Sequence, residues 1–363
     1  MATAGDPDPL RLTALRCQAQ LLSGGAATDP VEVAGRLLAV QAQDPRGFRL
    51  AVRSRTTGVG VEDLEHALSL SVDRSIVVTT LNRGTLHLVR AEDYWWLHAL
   101  TTPPLFTASR RRLSELGLDT DQVEVGVEVV VGALRRDGPL TRDELRGRLD
   151  TAGVPTAGQA LIHVLTLTAL RGFTVRGPLR DGRHAWVLVA DWLGPAPALD
   201  RGAALEALAR RYLAGHGPAT DRDLARWAGL ALRDVRAGLS AIAGELDDLG
   251  GGLLALTGSP TDAESPSPRL LGAFDPLLLG WCDRQPIIGD NHTLVTDNGV
   301  FHPFALVGGR AVASWRLSSG TLTLRPFGPL PPATRRTLID EAAAVGAYLG
   351  IGNPTVVIDR PAL

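Results

Sequence analysis

Two glutamines two positions apart, Gln41 and Gln43, are the residues whose types and spacing point most directly to chemistry. They lie in the segment LLAVQAQDPRGFRLAVRSR (residues 37–55), directly before Asp44-Pro45. A residue before proline is kept out of the α region, so we expect the preceding helix to end here. In extended backbone the side chains of residues i and i+2 point the same way, so two carboxamides would converge. They could act as a catalytic pair, or simply satisfy loose carbonyls at a helix end.

Composition excludes several other chemistries. All 37 Lys+Arg residues are arginine, so neither a phosphate loop with its lysine nor a lysine Schiff base can form. The cysteines Cys17 and Cys282 lie far apart, and the sequence contains no CxxC, HExxH or GxSxG motif. We therefore expect no metal and no cofactor. The eight histidines are scattered, so each alone is more typical of a structural residue than of a catalytic one.

Charge and hydropathy narrow the possible partners. The formal net charge is −2, which does not suggest general binding to polyanions. Arginine is nevertheless concentrated around the glutamines, with five arginines against two acids over residues 31–55. No run of eighteen apolar residues and no basic-then-apolar N-terminus is found, so we expect a cytoplasmic protein with no membrane partner.

An internal repeat indicates the elements that would position these residues. DGPLTRDEL (137–145) and HGPATDRDL (216–224) share a Gly-Pro helix stop, then a threonine N-cap with an acid three residues later. Each copy follows a predicted helix (123–135 or 203–214) and precedes a second helix and a hairpin. A winged helix has this order of elements: a helix, a capped short helix, a longer helix and a hairpin. Two unrelated helix ends remain the alternative.

The two ends of the chain complete the predicted architecture. A weaker third copy has helix 10–22, a helix start at Asp29-Pro30 and a hairpin over 76–89 that turns at Asn82-Arg83-Gly84. Beyond the linker TGSPTDAESPSP (257–268), the pattern predicts strands over 292–324, a helix over 332–349 and a last strand. We predict an α+β fold of tandem winged-helix units with a C-terminal α+β module. Its predicted domains are 10–104 (with the glutamines), 105–195, 200–258 and 269–363.

Four stretches in this order resemble one known family. They are VQAQDP with LAVRSR after it, RGTLHLV (83–89), FDPLLL (274–279) with Asp283-Arg284 after it, and FHPFALVGGRAVASWR (301–316). The chain resembles the AlkZ-like winged-helix DNA glycosylases that unhook interstrand crosslinks, of the azinomycin-resistance type. The resemblance extends from Leu10 to about Val357.

The resemblance implies a reaction and a substrate. Gln41 and Gln43 would be catalytic, and Gln43 stands where some relatives carry aspartate. The enzyme would be a monofunctional glycosylase that hydrolyses the N-glycosidic bond of N7-alkylguanine lesions, including interstrand crosslinks, and leaves an abasic site. Its partner would be double-stranded DNA carrying such lesions. It would be a bacterial, cytoplasmic monomer, associated with the nucleoid during repair.

Further DNA contacts are predicted from the same stretches. Arg46, Arg49, Arg53 and Arg83 are the candidate phosphate contacts, and His87 and Arg284 are further candidate DNA-binding residues. The alternatives are a winged-helix transcription regulator without enzymatic activity and a protein that only binds damaged DNA. A regulator usually carries one such unit and dimerises on a palindrome, whereas this chain carries two or three.

Overall fold

The fold is known from a computed structural model that describes residues 8–68, 75–180 and 183–360. Contacts between Cα atoms divide these residues into two compact units. Within the described ranges, the first unit contains residues 8–64, Leu205–Trp227 and 231–360. The second unit contains residues 65–204, apart from the gaps, and Ala228–Leu230. The four domains predicted from the sequence have different boundaries and remain a prediction.

The described chain contains both helices and strands. The helices are α1 (Pro9–Ala19), α2 (Pro30–Leu37), α3 (Pro45–Arg53), α4 (Val61–Ala67), α5 (Ala91–Thr101), α6 (Phe106–Glu115), α7 (Thr120–Asp137), α8 (Arg142–Thr151), α9 (Ala160–Leu170), α10 (Val189–Leu193), α11 (Arg201–His216), α12 (Asp221–Ala228), α13 (Leu232–Ala241), α14 (Pro276–Leu279), α15 (Gln285–Ile288) and α16 (Pro332–Tyr348). The strands are β1 (Val40–Gln41), β2 (Ile76–Leu81), β3 (Thr85–Arg90), β4 (Thr174–Arg180), β5 (Arg183–Leu188), β6 (Leu246–Asp248), β7 (Leu254–Leu256), β8 (Arg269–Leu271), β9 (Phe304–Val307), β10 (Arg310–Ser318), β11 (Thr321–Pro326) and β12 (Thr355–Ile358). The fold is therefore mixed α and β, as predicted.

Asp-Pro dipeptides begin two helices of the first unit. Asp29 accepts a hydrogen bond from the backbone N–H of Val31 at 2.5 Å, and Pro30 is the first residue of α2, which confirms that prediction. Asp44 and Pro45 play the same roles at the start of α3. The predicted helix end at this point is wrong, since α2 already ends at Leu37. A residue before proline lies outside the α region in two cases. Either the preceding helix has already ended, or the residue caps a new helix.

Both copies of the repeat form the capped helices that the sequence predicts. Thr141 accepts a hydrogen bond from the Glu144 N–H at 3.4 Å, and the Glu144 carboxylate accepts from the Thr141 N–H at 2.7 Å. Thr220 and Asp223 exchange the equivalent pair of bonds at 2.9 and 3.1 Å. Each capped helix is followed by another helix and then by an antiparallel hairpin, β4–β5 or β6–β7. Residues 181–182 of the first predicted hairpin turn lie outside the described residues.

The second unit builds its strands in the order β3-β2-β4-β5. β2 and β3 form the predicted hairpin, with register from Ile76 opposite Arg90 to Leu81 opposite Thr85. Asn82–Gly84 form the turn, where Arg83 takes a φ of 58°. Helices α7, α8 and α9 bury a core of leucine and valine, including Val130, Leu145, Leu149, Leu161 and Val164.

The C-terminal part of the first unit is an α+β module, as predicted. Its sheet has the order β12-β11-β10-β9-β8, in which β11 and β12 are parallel and the other neighbours antiparallel. Burial alternates along β10, where Ala313, Trp315 and Leu317 are buried while Arg316 and Ser318 are exposed. This is the pattern of a sheet with one buried face. Residues of α16 and Leu50 of α3 belong to its core, so the glutamine segment continues directly into a helix packed on this module.

An aromatic cluster at the end of α11 buries a titratable ring. His216 is fully buried and stacks on Tyr212 with ring centroids 4.7 Å apart, while Trp227 lies 5.4 Å away. Burial disfavours the charged imidazolium and lowers the pKa of His216 to about 3, and nearby arginines act in the same direction. Because the unfolded chain takes up this proton near pH 6.5, folding stability is fully present above that pH and is lost as pH falls toward 3.

We predict that His216→Phe reduces the acid sensitivity of the fold. Phenylalanine keeps the ring but removes the proton uptake of the unfolded state, so the loss of unfolding free energy between pH 7 and pH 5 should shrink by about 2 kcal/mol. Urea unfolding at the two pH values measures this difference. The exposed His292→Phe is the control and should behave as wild type. An unchanged loss in His216→Phe would contradict the prediction.

Candidate active site

A strained turn directs the chain into the glutamine segment. After α2, Leu38 adopts φ 64° and ψ −44°, and the Ala39 N–H donates to the Leu37 carbonyl at 2.7 Å. These values describe a γ-turn with positive φ, which is rare for a residue with a side chain. The Leu38 side chain is fully buried, and its burial holds the turn in place. Such strain costs about 1–3 kcal/mol and clusters at functional sites.

The two glutamines lie in different environments. Gln41 is only 6% exposed, Ala42 is 4% exposed, and Gln43 is exposed. Within the described residues, the buried Oε1 atom of Gln41 has no hydrogen-bond partner. An unsatisfied buried amide costs about 1–3 kcal/mol, and in native proteins such groups often mark a functional site. The structure therefore places both glutamines on one short segment, one with a buried acceptor and the other at the surface.

Helix α3 is held tightly at its first turn. Asp44 accepts a hydrogen bond from the Gly47 N–H at 2.5 Å. A Cβ atom at residue 47 would collide with the backbone oxygen of Ala273, so only glycine allows this approach. The start of α3 is therefore fixed against the loop that precedes α14.

A fully buried ion pair fixes the other end of the same helix. The Arg55 guanidinium donates to both carboxylate oxygens of Asp275, at 2.8 and 3.0 Å, and to the Gln20 Oε1 at 2.9 Å. Both side chains of the ion pair are 0% exposed. Asp275 also accepts from the Leu277 N–H at 2.9 Å and so caps α14. Both residues lie in stretches that resemble the family, but the sequence carried no signal that they pair.

Comparisons with known proteins identify the family. The family model described as DNA glycosylase AlkZ-like matches residues 34–348. The chain belongs to this family. The solved structure of DNA glycosylase AlkZ from Streptomyces sahachiroi is 28% identical in sequence, with a TM-score of 0.76 over 96% of this chain and 99% of that one. A comparison with curated protein sequences finds no match. The chain is accordingly a DNA glycosylase, an enzyme that acts on DNA.

The three arginines of α3 that are candidate phosphate contacts differ in their exposure and in their hydrogen-bond partners. Arg46 is exposed, with one guanidinium N–H donated to the Leu317 carbonyl at 3.1 Å. Arg49 is half-buried and donates to the Pro45 carbonyl at 2.6 Å. Arg53 donates to both carboxylate oxygens of Glu341, at 2.9 and 3.1 Å, and this pair would have to break before Arg53 reached a phosphate. Arg46 therefore keeps the most donors for a ligand.

The remaining predicted DNA-binding residues also differ in exposure. Arg83 is exposed at the tip of the β2–β3 hairpin. His87 is only 3% exposed, and its ring Nδ1 lies 2.9 Å from the Thr85 carbonyl. Burial, reinforced by the charge of Arg83, lowers the pKa of His87 to about 3, so this ring is neutral and does not suit a phosphate contact. The role of His87 in DNA binding stays a prediction.

Arg284 is half-buried, and burial lowers its pKa. Its Nε atom donates to the Leu278 carbonyl at 2.7 Å, and its guanidinium lies 5.1 Å from the centre of the Phe301 ring. Through these contacts, the family stretch that begins at residue 274 packs against the family stretch 301–316. They give Arg284 a packing role in the first unit.

Neither a metal site nor a membrane span is found in the described part of the chain. Residues 8–68, 75–180 and 183–360 contain no group of three or more His, Cys, Asp or Glu side chains that could hold a metal ion. None of the described helices has the length and apolar character needed to cross a membrane.

We predict that Arg55→Met destabilises the glycosylase far more than Arg53→Met. Among the described residues, the first change leaves the buried Asp275 carboxylate with only the Leu277 N–H, and removing one partner of a buried pair costs about 3–5 kcal/mol. The second change leaves Glu341 partly exposed, with the Leu270 N–H still donating to it at 3.1 Å. Urea unfolding of both variants measures the two losses. Equal losses would contradict the structural role assigned to Arg55.

Proposed function

We propose that this glycosylase hydrolyses the N-glycosidic bond of N7-alkylguanine in duplex DNA, including guanines joined in interstrand crosslinks. Gln41 and Gln43 are the catalytic residues, and the product is an abasic site. The observation that carries the proposal is the buried, unpaired Oε1 atom of Gln41, in a chain of the AlkZ-like family. The order of the four family stretches gives further support.

The chemistry requires little acid or base from the protein. Alkylation at N7 gives the guanine a positive charge, so the base leaves with the bonding electrons without prior protonation. The sugar then develops positive charge at C1′. The Oε1 atom of Gln41 is the negative end of an amide dipole and is largely shielded from water. In such a position a dipole stabilises positive charge more strongly than it does in water.

A water molecule completes the hydrolysis. It attacks C1′ as the base departs, forms the new C–O bond and loses its proton to solvent. A glutamine amide is a poor general base, so positioning of this water dominates over proton abstraction. Gln43, which lies at the surface two residues from Gln41, is placed to hold it.

The absence of lysine favours base removal alone. Glycosylases that also cut the strand need an amine nucleophile to form a Schiff base with the sugar. No lysine is available anywhere in this sequence. Absent another amine nucleophile, the enzyme leaves the strand intact at the abasic site.

The capped helix pairs and their hairpins act as tandem winged-helix units that bind the duplex. Arg46 and Arg83 are exposed and Arg49 is half-buried, and these three are the proposed phosphate contacts. Arg53 is paired with Glu341 and His87 is neutral and buried, so neither is included.

We predict that Gln41→Ala and Gln43→Ala each slow base release while leaving DNA binding intact. Loss of one preorganised dipole at a reacting centre typically costs about 10²–10³ in rate. The measurement is the single-turnover rate at saturating enzyme on a duplex with one N7-methylguanine, together with the affinity for that duplex. Gln159→Ala, an exposed glutamine at the start of α9, is the control and should keep the wild-type rate. Full rate in both test variants would refute the catalytic roles.

A further inference from the structure

A cleft of about 720 Å³ lies in the first unit, directly after the glutamine segment along the chain. Its walls are the first turn of α3 and the exposed faces of β10 and β11 in the C-terminal module. The charged or hydrogen-bonding side chains that line it include Asp44, Arg46, His302, Ser314, Arg316 and Arg325. Three of these are arginines and one is a histidine, against one carboxylate. The cleft is therefore positively charged, in contrast to the chain as a whole.

The arrangement of the arginines suits an anion. Arg316 lies opposite Thr323 and Arg325 lies opposite Ser314 in the antiparallel β10–β11 pair. Both arginines are exposed on the same face, as diagonal neighbours across the two strands. Diagonal side chains of this kind are about 7–8 Å apart, and like charges so placed repel each other unless an anion lies between them. The cleft thus places two guanidinium groups on a rigid sheet around space for a negative ligand.

The negative charges near the cleft do not neutralise the positive charge of its arginines. The Asp44 carboxylate is bound to the Gly47 N–H at the start of α3. Arg325 pairs with Asp359 at 3.3 Å, but both side chains are largely exposed, and such surface pairs contribute little and exchange readily. Arg316 has no carboxylate partner within the described residues. Arg46 uses one of its five N–H groups on the Leu317 carbonyl.

We propose that this cleft binds a phosphodiester of the DNA strand that carries the lesion. This assignment rests on the proposed function and makes the C-terminal module part of the DNA-binding surface. Arg46 follows Gln43 by three residues, so their Cα atoms are at most about 10 Å apart. A phosphate held by Arg46, Arg316 and Arg325 is therefore close to the sugar on which the glutamines act. Phosphate contacts of this kind fix the register of a protein on its substrate.

The test compares the cleft arginines with a matched arginine of the same strand. The variants are Arg316→Ala, Arg325→Ala and the double change, and the control is Arg310→Ala, which is exposed on β10 but does not line the cleft. The affinity for an undamaged duplex is measured over a range of salt concentrations. Each cleft variant should bind about fivefold to tenfold more weakly at low salt, and its slope of log K against log [salt] should fall by about 1. Arg310→Ala should change the affinity by less than about twofold and should leave the slope unchanged. Cleft variants that match the control would overturn the proposal.

Two further measurements distinguish this proposal from other roles for the cleft. Inorganic phosphate tests for a site that takes free anions: if the double variant loses thermal stabilisation by phosphate but binds duplex like wild type, the DNA assignment is wrong. The single-turnover rate on an N7-methylguanine duplex at subsaturating enzyme should fall in step with the affinity, because phosphate contacts fix the register of the protein on its substrate. Since affinity is measured on undamaged DNA, the cleft is tested even if wild type releases no N7-methylguanine, which would refute the proposed function alone.

Discussion

The buried ion pair between Arg55 and Asp275 is the constraint on which the candidate active site depends. It joins the end of the segment that contains the glutamines to the start of α14, although 220 residues separate the two side chains. A charge with no exposure is tolerated only when it is paired in good geometry, so neither residue can move without a large loss of stability. The close approach of Gly47 to Ala273 fixes the other end of α3 in the same way. Helix α3, which directly follows the glutamine segment, is thus held by the C-terminal module rather than by its own local structure.

This rigid support explains how the protein tolerates two unfavourable local features at the same place. Leu38 adopts a strained γ-turn, and the Gln41 Oε1 atom is buried without a partner within the described residues. Each costs on the order of 1–3 kcal/mol. Proteins retain such costs where function requires them, and the stability comes from elsewhere in the fold.

The sequence predicted the elements whose signals are local, and it missed the contacts between distant segments. The Thr141 and Thr220 caps, the Asp29-Pro30 helix start and the Asn82–Gly84 turn each depend on a few neighbouring residues. The helix end predicted at Asp44-Pro45 was wrong because the same dipeptide begins the next helix. The pairing of Arg53 with Glu341, the burial of His87 and the Arg55–Asp275 pair all arise from tertiary packing, which no spacing in the sequence reveals. The glutamine pair was recognisable because its residues lie two positions apart in the sequence and resemble a family motif.

The proposed reaction removes N7-alkylated guanine by hydrolysis, with neutral amides and water rather than a nucleophile of the protein. Mass spectrometry of the products formed by the wild-type enzyme from a duplex with a single N7-methylguanine tests this reaction. We expect free N7-methylguanine and an unbroken strand with an abasic site that alkali then cleaves. Release of no more base than the duplex loses spontaneously, or a strand broken without alkali, would refute it.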